Sequence, residues 1–148
     1  MNKGVSPEAV QAWARLMRAQ QALLQRVERD LKAAGLPPLD WYDVLLELDR
    51  AEAGRLRHRD LHPRLLLAKY NLSRLIDRME AEGVVRREAC ADDARGQEVV
   101  ITDKGRALRR RMWPAYETAI GRHFASRLGR ADIALLNRLL PTLAEARD

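Results

Sequence analysis

The chain has 148 residues, 47% of them apolar and 32% charged, with a formal net charge of +6. That is long enough for one domain with a real core, and the apolar content excludes wholesale disorder. A single cysteine, Cys90, excludes an internal disulfide, and with three scattered histidines it gives no four-ligand zinc pattern, so no metal or cofactor is expected.

No apolar run approaches the ~18 residues of a membrane span, and Met1-Asn2-Lys3-Gly4 lacks the apolar stretch of a signal peptide, so the expected location is the cytoplasm, with no membrane partner. The charge is uneven. Residues 51–111 carry 15 basic and 10 acidic side chains, whereas both flanks are close to neutral. A basic middle suits a polyanion, because neutralising phosphates releases condensed counterions. A solvated basic surface is the alternative reading.

Ser6-Pro7-Glu8 predicts a helix start, since a serine oxygen caps free amides and proline loses nothing in the first turn. Trp13, Leu16, Met17, Leu23, Leu24, Val27 and Leu31 then recur at helical spacing until Gly35-Leu36-Pro37-Pro38 stops them. Asp40 is expected to cap a second helix with Trp41, Val44, Leu45 and Leu48 on its apolar side, running out near Ala53-Gly54.

Leu61 to Gly83 reads as two short helices, the first ending in Leu65-Leu66-Leu67. In the second, expected to include Lys69 to Arg78, Leu72, Leu75, Ile76 and Met79 fall at i, i+3, i+4 and i+7 as one buried stripe. Lys69, Tyr70, Ser73, Arg74, Asp77 and Arg78 are left for other faces, and Gly83 supplies the stop. The period then changes to two. Val84 to Cys90 and Glu98 to Ile101 are predicted strands, with Asp92 to Gln97 as the turn. Thr102 is expected to cap a helix from about Asp103 to Leu128, bent at Pro114, and Gly129 precedes a last helix ending near Ala146. Helix-helix-helix-hairpin-helix is a winged helix-turn-helix order with added terminal helices.

From Leu61 onward the chain resembles the MarR family of bacterial regulators. The resemblance is carried by Leu61-His62-Pro63-Arg64-Leu65-Leu66-Leu67-Ala68, by Leu72 to Val85, by Arg86-Arg87-Glu88 and Cys90, and by Asp93-Ala94-Arg95-Gly96 followed by Val100-Ile101-Thr102-Asp103-Lys104-Gly105. It implies a mainly α fold with a small β-hairpin wing, a winged helix-turn-helix with N- and C-terminal dimerisation helices. The single domain would place the DNA-binding lobe at about 36–103 and the dimerisation helices at about 6–34 and 104–147. Two positions depart from the family pattern. Ala68 stands where a serine commonly caps the recognition helix, and Pro63 removes an amide donor from the preceding helix, where a kink is expected.

In such a fold the second helix of the motif enters the major groove, and its N-terminal residues meet base edges. Lys69, Tyr70, Asn71, Ser73 and Arg74 are the candidates, against the alternative of a solvated helix face. Arg or Lys donates to guanine acceptors, and Asn pairs with adenine in two hydrogen bonds. Arg78, Arg86 and Arg87 are read as phosphate clamps or surface ion pairs, and Arg55, Arg57 and Arg59 stay open in the same way. By resemblance Arg95 is the wing arginine that reaches the minor groove, where negative potential concentrates. Asp93 is expected to shape the turn.

Two long amphipathic helices at opposite ends of the chain exceed what a three-helix core covers, which points to burial between two copies, with intramolecular packing of the helices as the alternative. By resemblance Trp13, Leu16, Leu23, Ile133, Leu136, Leu139 and Leu140 would build that homodimer interface. The family also implies a small aromatic effector, with Trp13, Trp41 and Trp113 as candidate liners of its pocket and plain core packing as their alternative. The acidic neighbours Glu88, Asp92 and Asp93, set against Arg86 and Arg87, favour a structural Cys90 over a redox sensor. No nucleophile or acid-base constellation suggests an enzyme. The expected function is a ligand-responsive repressor that binds palindromic double-stranded promoter DNA as a homodimer. The competing reading is a winged-helix interaction module whose basic face takes an acidic partner.

Overall fold

The computed structural model describes residues 4–67, 71–92 and 95–145. Backbone contacts divide the chain into two compact units, Leu31–Ala115 and Met1–Asp30 with Tyr116–Asp148. The unit boundaries fall inside helix α1 (Pro7–Ala33) and helix α5 (Asp103–His123), and α5 runs through Pro114 as one helix. Among the described residues no helix is long and apolar enough to cross a membrane.

The unit Leu31–Ala115 begins where α1 stops. Gly35, at φ 70°, lets the Leu36 and Gly35 amides return to the carbonyls of Leu31 and Lys32, both at 3.0 Å, which closes the helix. Helix α2 (Leu39–Arg50) follows at once. Pro38 occupies its N-cap with no side-chain cap, so Asp40, expected as the cap, is instead the second residue of the helix, where its charge favours the dipole. A short 3₁₀ turn, Glu52–Gly54, carries the chain into strand β1 (Arg55–Arg57), which the sequence reading did not anticipate.

Helix α3 (His58–Leu61) passes into a 3₁₀ turn at His62–Arg64, and Leu65 is already extended. The first helix of the motif therefore ends before Leu65-Leu66-Leu67, contrary to expectation. Pro63 is the reason: it donates no amide hydrogen bond, and the helix tightens and ends around it. Helix α4 (Leu72–Ala81) starts at Leu72, later than the expected Lys69, and Ala68, Lys69 and Tyr70 lie outside the described residues. Its stripe behaves as predicted, with Leu72, Leu75, Ile76 and Met79 all buried. Gly83, at φ 74°, ends the helix as Gly35 ends α1.

Strands β2 (Val85–Ala89) and β3 (Gln97–Ile101) form the hairpin, and β1 adds to the free edge of β3, giving an antiparallel sheet in the order β1-β3-β2. Val85 pairs with Ile101, and Arg55 lies opposite Val100 on the other side of β3. Val85, Val99, Val100 and Ile101 join the α4 stripe, Leu45 and Leu48 of α2, Leu61 of α3, and Leu108 and Met112 of α5 in one core. Cys90 is buried just beyond β2, and its amide donates to the Gly96 carbonyl.

The passage from β3 into α5 is tightly built. The Gly105 amide donates to Thr102 Oγ1 at 3.1 Å, which caps α5 as the sequence predicts. Thr102 Oγ1 in turn donates to the Gly83 carbonyl at 2.6 Å, and Lys104 Nζ donates to the Glu82 carbonyl at 2.7 Å. A Cβ on Gly105 would come within 2.1 Å of the Val84 carbonyl oxygen. Asp49 of α2 holds the same helix by accepting from Arg109 Nε at 2.6 Å and pairing with Arg106 at 3.3 Å.

The other unit comprises α1 to Asp30, α5 from Tyr116, and helix α6 (Arg130–Ala144). Ser6 Oγ accepts the Ala9 amide at 3.1 Å, so the predicted start of α1 holds. Helix α5 ends at His123 rather than Leu128, because Phe124 leaves helical geometry ahead of a 3₁₀ turn at Ala125–Arg127. Asp132 accepts the Gly129 amide at the start of α6. Asp30 pairs with His123 at 2.8 Å and with Arg122 at 3.6 Å, tying α1 to α5. Val27 and Ala119 are buried, yet Trp13, Leu16, Met17, Leu135, Leu139, Leu140 and Leu143 stand exposed.

Gly105→Ala is expected to lose about 2–3 kcal/mol in urea unfolding, since backbone has to move to admit the methyl group. Gly121→Ala, also in α5 but with nothing within 4 Å of its added Cβ, is expected to gain about 0.5–1 kcal/mol. Equal effects at the two glycines would show that the close approach at Gly105 is not what holds the junction.

Candidate nucleic-acid interface

Because α4 buries one stripe, its remaining residues divide into two adjacent rows, each of residues about one helical turn apart. Ser73 and Asp77, with Glu80, form one row, and Arg74 and Arg78 form the other; Ser73, Arg74, Asp77 and Arg78 are exposed. Asn71, also exposed, sits just ahead of the helix and makes no side-chain cap. Arg95 is exposed in the turn between β2 and β3, whereas Asp93 and Ala94 lie outside the described residues.

The first row is turned toward the wing. Arg87 of β2 pairs through Nη1 with Asp77 at 2.7 Å and Glu80 at 3.1 Å, and through Nη2 it donates to the Ser73 carbonyl at 3.0 Å. Its backbone amide donates to Glu80 Oε2 at 2.7 Å. Of the two readings open for Arg87, the structure gives the ion pair. The guanidinium binds hairpin to helix and offsets the carboxylate of Asp77, which would otherwise repel phosphate. Arg86 pairs with Glu88 at 2.6 Å, and Arg55 reaches Glu88 at 3.2 Å and Glu98 at 3.1 Å across the sheet. The contacts of Arg86 lower the pKa of Glu88, first by hydrogen bonding and then by charge.

Two groups that set the site escaped sequence reading. Asp43 of α2 is buried, and its Oδ2 accepts the Leu67 amide at 3.1 Å, fixing the backbone that leads to α4. A carboxylate amid Tyr42, Val44 and Leu45 is the signal that could have marked it, since buried charge requires donors. His58 Nε2 stands 3.4 Å from Ser73 Oγ.

A cavity of about 610 Å³ opens on the far side of α4. The bend Gly35–Pro38, Trp41 of α2, Arg78 and Glu82, and Lys104, Leu108 and Arg111 of α5 line it. Of the three tryptophans expected near an effector, Trp41 lines this cavity. Trp113 stacks on Tyr42, with ring centroids 6.0 Å apart and planes 22° from parallel, and Trp13 lies in the other unit.

The comparisons agree with this architecture. The family model described as MarR family matches residues 34–96. The chain is 31% identical to AbsC, a MarR family transcriptional regulator from Streptomyces coelicolor, with a TM-score of 0.83 over 97% of this chain and 96% of that one. It is 28% identical to Sco3205, a MarR family regulator of the same organism solved in complex with DNA, with a TM-score of 0.88 over 98% and 91% of the two chains. A cysteine-to-serine mutant of MarR from E. coli, complexed with operator DNA, shares the fold at 20% identity, with a TM-score of 0.80 over 97% and 100% of the chains. No curated protein sequence matches the chain.

Burial lowers the pKa of His58 below the ordinary value of 6.5, and the charges of Arg87 and His62 add to the effect. A lowered folded-state pKa favours the neutral imidazole. The stability tied to it is therefore complete above pH 6.5 and is lost as pH falls through the folded-state pKa. The His58 resonance is expected to titrate below pH 6.5 in NMR, and His58→Gln is expected to flatten the acid side of the stability profile. A midpoint at or above 6.5 would contradict this assignment.

Proposed function

The chain belongs to the MarR family of transcriptional regulators, and on that premise we propose that it is a ligand-responsive repressor acting as a homodimer on palindromic promoter DNA. The observation that carries the reading is the division of α4. Its apolar stripe is buried while Ser73, Arg74 and Arg78 stay exposed, with Arg95 exposed in the adjoining wing. In this reading α4 enters the major groove, with Asn71, Ser73 and Arg74 toward base edges and Arg78 toward phosphate. Lys69 and Tyr70 remain candidates of the same kind, and Arg95 reaches the minor groove. The DNA complex of Sco3205, 28% identical to this chain, supports the assignment.

The second element of the proposal is the dimer. Trp13, Leu16 and Met17 on α1 and Leu135, Leu139, Leu140 and Leu143 on α6 are large apolar groups exposed in one copy, and a second copy would cover them. The DNA-binding lobe is then about 36–103, and the dimerisation helices are about 6–34 and 104–147. Twofold symmetry would set two α4 helices about one turn apart on a palindrome. An effector that prefers a form with the helices wrongly spaced would release the DNA by its differential affinity. Such a protein works in the cytoplasm, and family membership points away from catalysis.

Binding to promoter duplex is expected to weaken steeply between about 50 and 200 mM salt, with a log-log slope of about −0.9 for each phosphate neutralised. Arg74→Ala and Arg95→Ala should each weaken it by about 1–3 kcal/mol. A wild-type protein indifferent to duplex and salt would overturn the DNA reading and leave an acidic protein partner as the target of the basic face. For the dimer, sedimentation is expected to give two chains for the wild type and one for Leu139→Glu; a monomeric wild type at tens of micromolar sinks this part.

A further inference from the structure

Ser73 is the second residue of α4, exposed beside Arg74, and it is approached from two sides. Arg87 Nη2 donates to its carbonyl at 3.0 Å, and Nε2 of His58, the first residue of α3, stands 3.4 Å from its hydroxyl oxygen. A serine hydroxyl has one proton to give and two lone pairs to receive with, so the neighbour that takes the proton decides what is left for a base. The surroundings of half-buried His58 keep its ring neutral. Arg87 of β2 and His62 of the following turn both oppose a second proton. Arg57 of β1 and Arg59 of α3 add positive charge nearby, with Asp60 exposed on α3. The carboxylates of the elements packed around α3 are engaged elsewhere. Asp77 and Glu80 of α4 hold Arg87, and Glu98 of β3 holds Arg55. On α2, Asp49 holds Arg106 and Arg109, Glu47 lies 4.0 Å from Arg50, and Asp43 accepts the Leu67 amide.

We propose that His58 sets the base preference of α4: Nε2 accepts the Ser73 hydroxyl proton, so Ser73 meets the major groove as an acceptor and favours an amino-bearing base edge, cytosine N4 or adenine N6. Arg87, bonded to Ser73 itself, disfavours a proton on the ring nitrogen that faces Ser73, which leaves the bare lone pair at Nε2. Guanine and thymine offer a side chain in the groove only acceptors for hydrogen bonding, and a hydroxyl whose proton is committed has nothing to give them. Protonation of His58 reverses the polarity. Nε2–H then donates into Ser73 Oγ, and the hydroxyl proton is released toward guanine or thymine. His58 is a positioning residue that acts through Ser73 without touching a base. The inference rests on α4 being the DNA-reading helix.

The test lets the full chain select duplexes from a pool of randomised sequence, with the bound fraction sequenced. Above the His58 titration midpoint, the wild type should favour cytosine or adenine over guanine and thymine by about threefold to tenfold at one position of the site, the worth of one hydrogen bond. Ser73→Ala should lose that preference and keep the others. His58→Leu, which removes the acceptor, should lose it in the same way. His58→Gln, whose side-chain carbonyl accepts the same proton but does not titrate, should retain it. About one pH unit below the His58 midpoint read by NMR, the wild type should lose the preference while His58→Gln keeps it. A Ser73→Ala profile identical to the wild type, or a Ser73-dependent position that favours guanine or thymine above the midpoint, overturns the proposal. So does a His58→Leu protein that keeps the preference or weakens every position alike, the mark of a merely structural role. If His58→Leu does not fold, the comparison of His58→Gln with the wild type across the midpoint decides, and an identical response of the two overturns the proposal. A wild type that enriches no duplex overturns instead the DNA reading beneath it.

Discussion

The close approach of Gly105 to the Val84 carbonyl is the constraint on which the unit Leu31–Ala115 depends. It brings the first turn of α5 against the chain leaving α4, at a distance that no residue with a Cβ tolerates. Three further bonds close the same junction: Thr102 Oγ1 to Gly83, Thr102 N to Val84, and Lys104 Nζ to Glu82. Because β2 leaves and β3 returns at this point, the junction fixes the hairpin relative to α4. It also sets one wall of the cavity, since Lys104, Leu108 and Arg111 lie on the helix it anchors. Wing, helix α4 and cavity thus share one backbone anchor.

Much of this was legible in residue order. The Leu72-Leu75-Ile76-Met79 stripe, the Gly83 stop and the Thr102 cap each rest on local chemistry, and each appears as expected. What failed to show was non-local. Strand β1 is three residues long, Arg55-Leu56-Arg57, and exists because β3 offers it an edge; no periodicity can be read from three residues. The end of α3 was misplaced because Pro63 outweighed an apolar run that looked helical. Lys69, Tyr70 and Asp93, prominent in the sequence reading, lie outside the described residues.

The basic character of the middle segment also takes a different meaning in three dimensions. Arg87, Arg86, Arg55, Arg106 and Arg109 all pair with carboxylates of the same lobe. They are structural ties whose positive charge is largely spent. The excess of basic over acidic side chains in residues 51–111 therefore overstates how many cations are left for a partner. Arg87 is instructive: by holding Asp77 and Glu80 it clears negative charge from one face of α4 and braces the wing that carries Arg95. A sequence reading that counts charges cannot separate braces from contacts, because the partners of Arg87 lie seven and ten residues away on another element.

The two units differ in how far they satisfy themselves. Leu31–Ala115 closes its own core over α2, α4, α5 and the sheet, whereas the terminal unit buries little and exposes leucines along α6 and Trp13 on α1. Exposed apolar area on this scale is costly to keep in water unless another surface covers it. If a second copy supplies that surface, folding of the terminal helices and association become one equilibrium, and the stability of the unit rises with protein concentration. The Asp30 pair with His123 then has a separate role. A hydrogen-bonded contact inside the unit holds α1 to α5 whether or not the apolar rows are covered, so the mutual register of these helices does not depend on a second copy.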